Sequence, residues 1–464
     1  MRMNLKVNVF LIFLLLGQLG NSQKLRVSEN NRFLETEEGK PFFWLADTAW
    51  ELFHRCNKEE VDMYLQKRAE QGFNVIQAVA LAELEGLNIP NSYGETPLID
   101  NDPTRPNDKY FEHVDYVIKK AQELDLYIAL LPTWGDKVNL KSWGKGPIVF
   151  NTENARHFGK WIGARYKDYD NVIWVIGGDR NPREDSDDIR IWNEMAEGVA
   201  DGAGGYENTL MTFHPQPKDD GGSSTWFHKE KWLDFNMHQT GHCAQKPTYK
   251  NISYDYHLSD TKPVLDGEPL YEGHPNCFRP DEFGHSIPED IRRIMYWNVF
   301  AGGFGQTYGC HAVWQMFTQN REGINKPLRP WTVALDLPLA NQVKHLKNLM
   351  LSRPFLTRIP DQSIVIGEQE DSENYVMATR DSEGTYAMIF FPTGKPTKLN
   401  LNVLTGKSLK MWWYDTRTGY ATEVGIQKKS SEVMITPPSS GKGQDWVLVL
   451  DDAKQKFKAP GKLN

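Results

Sequence analysis

Two acidic residues stand at the ends of short apolar runs: Asp179 closes Asn171-Val-Ile-Trp-Val-Ile-Gly-Gly-Asp179, and Glu268 closes Lys262-Pro-Val-Leu-Asp-Gly-Glu268. Runs of this kind are the pattern of strands buried on both faces in a parallel sheet. Where such strands alternate with helices around a barrel, the groups that do chemistry sit at the strand C-terminal ends. A carboxyl pair there fits glycoside hydrolysis, in which one group attacks the anomeric carbon or activates a water and the other protonates the leaving oxygen. A separation of about 5 Å gives retention, and a wider one with room for a water gives inversion. The competing reading is structural, since acids at strand ends often cap the helix that follows.

Other strand-end groups are candidates for contacts to sugar hydroxyls. Asp47 and Trp50 end the first apolar run, Gln77 lies in the second, and Trp134, Asp136 and Lys137 follow the third. His214 ends the fifth, His238 and His242 close the sixth, and Tyr308 with His311 closes the eighth. Arg180, beside Asp179, is placed either to hold the carboxylate of an acidic sugar or to pair with a neighbouring acid. Glu85, Asp136 and Glu272 are further acids near the mouth, each a rival to Asp179 as proton donor. Fifteen Trp and eighteen Tyr supply faces on which sugar rings stack, although most belong to the core. Metal catalysis fits poorly: the first run has no His-x-His pair, and His238 and His242 on one strand would stand about 13 Å apart at ~3.3 Å per residue. No metal or cofactor is expected.

These residues need elements to position them. Strand-like runs recur eight times, at 42–50, 74–81, 127–134, 171–179, 209–215, 235–242, 263–268 and 303–309. Helical candidates lie between them at 58–71, 110–124, 152–169, 187–199 and 287–300. In the second of these, Val114, Val117, Ile118, Ala121 and Leu124 fall at the three-and-four spacing of one buried face. Asn57 or Lys58, followed by Glu59 and Glu60, gives the first a polar N-cap and acids in its opening turn. The alternation predicts a (β/α)₈ TIM barrel over 23–353. Its fifth and sixth units are the weakest, because the Gly-rich stretch 218–225 leaves room only for a short helix. The last barrel helix is expected over 333–351, stopping before Pro354. From 354 to 464 the runs become short and turn-separated, at 363–366, 375–379, 386–391, 409–414, 432–435 and 446–450, predicting a small antiparallel β-sandwich.

The chain has 464 residues and a formal net charge of −8. Residues 1–22 show a secretory pattern: Arg2 and Lys6, an apolar stretch from Val7 to Leu16, then small and polar residues. That apolar core is too short to anchor in a bilayer, and no later run approaches eighteen apolar residues, so no membrane anchor is expected. No cysteine precedes Cys56, which removes the acylation site of a bacterial lipoprotein. The expected location is therefore periplasmic or secreted. Acidity without a basic cluster argues against nucleic acid as partner. Cys56, Cys243, Cys277 and Cys310 are widely spaced, compatible with one disulfide or with free buried thiols.

Five segments carry a resemblance: Phe43-Trp-Leu-Ala-Asp-Thr-Ala-Trp50, Gly72-Phe-Asn-Val-Ile-Gln77, Val175-Ile-Gly-Gly-Asp-Arg-Asn181, Asp266-Gly-Glu-Pro269 and Trp413-Tyr-Asp-Thr-Arg-Thr-Gly419. Over nearly its whole mature length the chain resembles the apiosidase-like barrel proteins with an appended "collagen-binding" β-domain, the group that includes glycoside hydrolase family 140. That resemblance implies a glycosidase acting on apiosyl linkages in the plant cell-wall pectin rhamnogalacturonan II, without cofactor. It places the acid/base on Asp179 after strand four and the nucleophile on Glu268 after strand seven, and it implies retention. The label on the β-domain does not imply collagen binding, and an accessory module packed on the barrel is expected. Against the wider clan the chain departs at strand four, where the usual Asn-Glu pair is Gly178-Asp179. Asp is one methylene shorter, so substrate or loop must come closer. The alternatives are a hydrolase of another plant glycan with the same two carboxylates, or an inactive carbohydrate-binding barrel.

Overall fold

The computed structural model describes residues 23–141 and 143–463, so the predicted secretory segment 1–22 lies outside the described residues. Eight parallel strands form the barrel: β1 (Trp44–Thr48), β2 (Val75–Leu81), β3 (Tyr127–Thr133), β4 (Val172–Gly177), β5 (Met211–His214), β6 (Asn236–His238), β7 (Val264–Asp266) and β8 (Gly305–Tyr308). The ladder runs continuously in the order β8-β1-β2-β3-β4-β5, and β6 pairs with β7. The two remaining seams are sparsely bonded: Asp234 N–H to Met211 O at 2.9 Å joins β6 to β5, and Phe304 N–H to Val264 O at 3.1 Å, with a parallel bridge between Glu272 and Cys310 past the strand ends, joins β8 to β7. The fold is the predicted (β/α)₈ barrel, with its weakest pairing around the three-residue strands β6 and β7.

Helices α1 (Lys58–Glu70), α2 (Asp108–Glu123), α3 (Thr152–Tyr166), α4 (Asp188–Ala203), α5 (Ser224–Phe227), α6 (Tyr249–Tyr256), α7 (Pro288–Phe300) and α8 (Val343–Leu351) follow the strands in turn. Asn57 caps α1 in a reciprocal box with Glu60. In α2 Val114, Val117, Ile118 and Ala121 are buried, as their spacing predicts. Helices α3 and α4 flank β4 and approach unusually closely, because a Cβ on Gly163 would stand 2.3 Å from Val199 O and one on Gly202 2.1 Å from Lys160 O. The single helix expected over 333–351 is instead three pieces: Trp331–Ala334, a 3₁₀ turn at Pro338–Asn341, and α8. Pro338 accounts for the break, since it lacks an N–H and disfavours helical geometry at the residue before it. Three short antiparallel strands before the barrel, Leu25–Val27, Leu34–Thr36 and Pro41–Phe42, were not anticipated. Among the described residues no helix is long and apolar enough to cross a membrane.

The tail is antiparallel. A six-stranded sheet contains β9 (Arg358–Pro360), β10 (Met377–Asp381), β11 (Tyr386–Phe391), β13 (Ser408–Asp415), β14 (Ala421–Lys428) and β16 (Trp446–Asp452), and a two-stranded sheet pairs β12 (Thr397–Leu399) with β15 (Val433–Ile435). The expected run 363–366 is a 3₁₀ turn plus one bridge, Val365 to Leu399, rather than a strand. Side chains alternate across the large sheet. Ala387, Ile389 and Phe391 join Leu399, Ile435 and Leu448 in the sandwich core. Tyr386, Met388 and Phe390 face the other way and are continuous with the barrel core. Phe390 stacks on Tyr296 of α7 with ring centroids 4.9 Å apart. Arg292 holds Asp445 through two bonds of 2.5 and 2.6 Å, and Arg353 holds Asp451 through two of 2.7 and 2.8 Å. Phe390→Ala is expected to cost about 3–5 kcal/mol, read as a lower denaturation midpoint; a loss under about 1 kcal/mol would show that the two domains do not share this core.

Candidate active site

Glu268 is placed by the turn that ends β7. Gly267 donates its N–H to His238 O at 2.8 Å, and its carbonyl accepts from Gln77 Nε2 at 2.9 Å. A Cβ on Gly267 would stand 2.4 Å from Met237 Sδ, so a larger residue there would have to push the Met237 side chain aside. Glu268, which follows, is 5% exposed. His214 Nε2 stands 3.1 Å from its Oε2 and His242 Nε2 3.3 Å from its Oε1, both at ion-pair distance. Burial alone would raise the pKa of Glu268, but the hydrogen-bonding pull of His214 and His242 outweighs it and brings the group down to about 2. The Tyr271 hydroxyl also faces Glu268 and accepts from Trp50 Nε1 at 3.2 Å.

Asp179 follows two glycines, and all three residues have positive φ: +87° at Gly177, +146° at Gly178 and +48° at Asp179. A Cβ on Gly177 would meet the Phe213 ring at 2.5 Å, and one on Gly178 the Trp134 ring at 2.7 Å. The turn brings the Asp179 N–H within 3.3 Å of His214 Nδ1. Because Nδ1 accepts there, the ring proton sits on Nε2, facing Glu268. One imidazole thus touches the backbone of one candidate acid and the carboxylate of the other. Asp179 Oδ2 accepts from Trp143 Nε1 at 2.8 Å and from Arg180 Nη1 at 3.1 Å. Burial, then the charge of Glu268, raises the Asp179 pKa above the ordinary carboxyl value, while Arg180, Trp143 and His214 oppose that rise. The two carboxyls are thus pushed in opposite directions, the divergence that would suit one to donate a proton and the other to stay ionised.

The other strand-end candidates divide into those at this centre and those away from it. Trp50, Trp134 and His214 form one aromatic group, with centroids 5.1 Å apart between the indoles and 5.4 and 5.8 Å from each to the imidazole. Gln77 acts through the Gly267 carbonyl. Arg180 is wholly buried, and besides Asp179 it donates to Asn139 O and Trp143 O at 3.0 and 2.9 Å, so it pairs with the neighbouring acid. Asp47 and Tyr308 are opposite in register and turn outward. Asp47 accepts from Tyr64 and Arg68 at 2.6 Å each, and Tyr308 donates to Glu272 at 2.6 Å. Asp136 and Lys137 form a buried pair at 2.7 Å, and Asp136 also accepts from the Lys145 and Gly146 N–H groups, which braces the loop carrying Trp143. His238 pairs with Asp255 of α6 at 2.9 Å, away from the carboxyls. His311 accepts from Trp314 and packs edge-on against His274, which stacks behind His242 at 4.2 Å. Glu85 faces Lys145 at 3.8 Å, in a rim cleft of about 450 Å³ shared with Arg55 and Arg321.

Sequence reasoning missed Trp143, Tyr271 and Glu83. Glu83 is pushed up to about 8 by burial, then by the charges of Asp179 and Asp136. It lies as far past the end of β2 as Asp179 lies past β4 and Glu268 past β7, an offset that was there to be seen. Cys243 and Cys277 form a disulfide with Cα atoms 4.6 Å apart, while Cys56 and Cys310 are free and buried. Cys243 adjoins His242, and the Cys277 N–H donates to His242 O at 2.7 Å, so the pair ties the loop after β6 to the loop after β7. Among the described residues no group of three or more His, Cys, Asp or Glu side chains is placed to hold a metal ion.

The family model described as "Apiosidase-like, catalytic domain" matches residues 28–357, and one described as "Putative collagen-binding domain of a collagenase" matches 359–451. No curated protein matches the chain. A solved glycoside hydrolase is 33% identical over 94% of this chain and 98% of its own, with a TM-score of 0.85. A glycoside hydrolase family 5 protein from Bacteroides vulgatus is 32% identical over 95% and 96%, with a TM-score of 0.84. A GH27 β-L-arabinopyranosidase from Geobacillus stearothermophilus shares the fold at 13% identity, with a TM-score of 0.51 over 90% and 97%. The chain belongs to the apiosidase-like family of glycoside hydrolases.

Proposed function

We propose that this glycosidase is retaining and exported, and that it releases apiosyl units from rhamnogalacturonan II, with Glu268 as nucleophile and Asp179 as acid/base. The observation that carries the mechanism is the His214-linked carboxyl pair, in which the surroundings lower the pKa of Glu268 and raise that of Asp179. In the first step the Asp179 proton passes to the glycosidic oxygen as Glu268 attacks the anomeric carbon. The resulting ester removes the negative charge that raised Asp179, so its pKa falls when it must next accept a proton from water. The shorter Asp side chain is offset by the left-handed turn, which carries the Asp179 backbone itself up to His214. With side-chain exposures of 17% for Asp179 and 7% for Glu268, the recess suits one terminal sugar rather than the middle of a chain. Export is supported by the leader-like residues 1–22 and by the disulfide.

Glu268→Gln is expected to abolish turnover, and Asp179→Asn to lower kcat about 10²–10⁴-fold on a natural linkage. The Asp179 variant should recover partly on an aryl glycoside whose leaving group needs no proton; near-normal activity in either variant removes that residue from the mechanism. Trp143→Phe deletes a donor that favours ionised Asp179, so the alkaline limb of kcat/KM is expected to move to higher pH. An unmoved or lowered limb contradicts the assignment of Asp179 as the acid. Product analysis on rhamnogalacturonan II beside other plant glycans tests the substrate: release of apiose or an apiose-ended oligosaccharide supports it, and cleavage only of another glycan refutes it.

A further inference from the structure

The neighbours of Asp179 decide which of its oxygens carries the proton. Trp143 Nε1 and Arg180 Nη1 both donate to Oδ2, at 2.8 and 3.1 Å, and among the described residues nothing bonds to Oδ1. An oxygen that already accepts from two N–H groups is the poorer place for a hydrogen, so the proton of the acid form sits on Oδ1. A glycosidic oxygen that takes this proton comes within about 2.6–3.2 Å of it. Trp143 is bonded to the other oxygen of the same carboxyl group. The departing oxygen therefore lies at most about 8 Å from the indole nitrogen, close enough for the sugar attached to it to reach the indole face.

That indole is open. At 44% exposure Trp143 is the most exposed of the described tryptophans, whereas Trp50 and Trp134 of the same centre are buried against each other. Leu140 and Ile148 of the same loop are exposed as well. Three exposed apolar side chains beside a polar recess have the composition of a contact surface. The ring is nonetheless held. The Arg180 guanidinium and the Lys141 ammonium stand 5.0 and 5.4 Å from its centroid, and Arg180 Nη2 donates to Trp143 O at 2.9 Å. Asp136 fixes the following turn by accepting the Lys145 and Gly146 N–H groups at 3.1 and 2.8 Å. An aromatic face already immobilised in this way costs a ligand little ordering entropy, and it suits the C–H side of a sugar ring.

With one terminal sugar in the recess, the rest of the polymer lies outside it, attached through the oxygen that Asp179 protonates. We propose that Trp143 is the platform on which the leaving-group sugar stacks, so that it determines specificity as well as bonding to the acid. The proposal rests on the reading of Asp179 as proton donor to an apioside. Its test compares two substrates that release the same sugar: methyl apioside, whose leaving group has no ring, and an apiosyl disaccharide with a pyranose leaving group. Trp143→Phe keeps a ring and loses the N–H. Trp143→Ala loses both, while the backbone bonds of the loop remain available to it. The two variants alter the acid alike, so the ratio of kcat/KM for the disaccharide over the methyl apioside isolates the stacking. That ratio is expected to stay within about threefold of the parental value in Trp143→Phe and to fall about tenfold in Trp143→Ala, through KM for the disaccharide. A parental ratio in Trp143→Ala overturns the proposal, and so does an equal fall in both variants, which would make the N–H rather than the ring responsible. Cleavage of neither compound by the unaltered protein removes the apiosyl reading and the platform with it.

Discussion

A glutamate that is buried to 5% exposure, yet has its carboxyl pKa held down to about 2, is the constraint around which this molecule is arranged. Burial of a lone charge is costly unless hydrogen bonds replace the lost water. Here two imidazoles stand at ion-pair distance from it, 3.1 and 3.3 Å away, from β5 and from the loop after β6. Each in turn needs its own support. His214 has its tautomer fixed by the Asp179 N–H, and His242 is backed by His274 and by the disulfide-tied loop. The seams around β5 to β8 lie where side chains, rather than continuous ladders, set the spacing.

The β-domain bears on the same arrangement through α7, one of whose faces meets β7 while another meets the six-stranded sheet. Asn298 of that helix donates to Asp266, two residues before Glu268, at 3.0 Å. Tyr296 and Phe300 pack on Phe390. A sheet covered on both faces has no free side, which is why Tyr386 to Phe391 is buried throughout and shows no polar alternation.

Much of the barrel was legible because its strands are apolar runs and its best helix is periodic. Asp179, Glu268 and His214 were legible because strand ends project into the mouth. Asp47 and Tyr308 were misplaced for a physical reason: in a strand buried on both faces nothing in the residue types tells inward from outward. Trp143 was hidden because its role depends on how a loop folds back, and the pairing of Cys243 with Cys277 because a separation of 34 residues carries no geometric information. Glu83 shared the right offset and was still passed over, since its run ended without the Gly that marks the other two turns. Pro338 was likewise overlooked: the helix expected over 333–351 ran through a residue that cannot continue one.

The departure at strand four is locked in by its neighbours. With the Trp134 ring against Gly178 and the Phe213 ring against Gly177, no single substitution restores the wider clan's Asn-Glu pair there without displacing an aromatic ring of the barrel mouth. The position of the Asp179 carboxyl is therefore dictated less by its own side chain than by two aromatic rings that leave room for nothing larger than hydrogen on the residues before it.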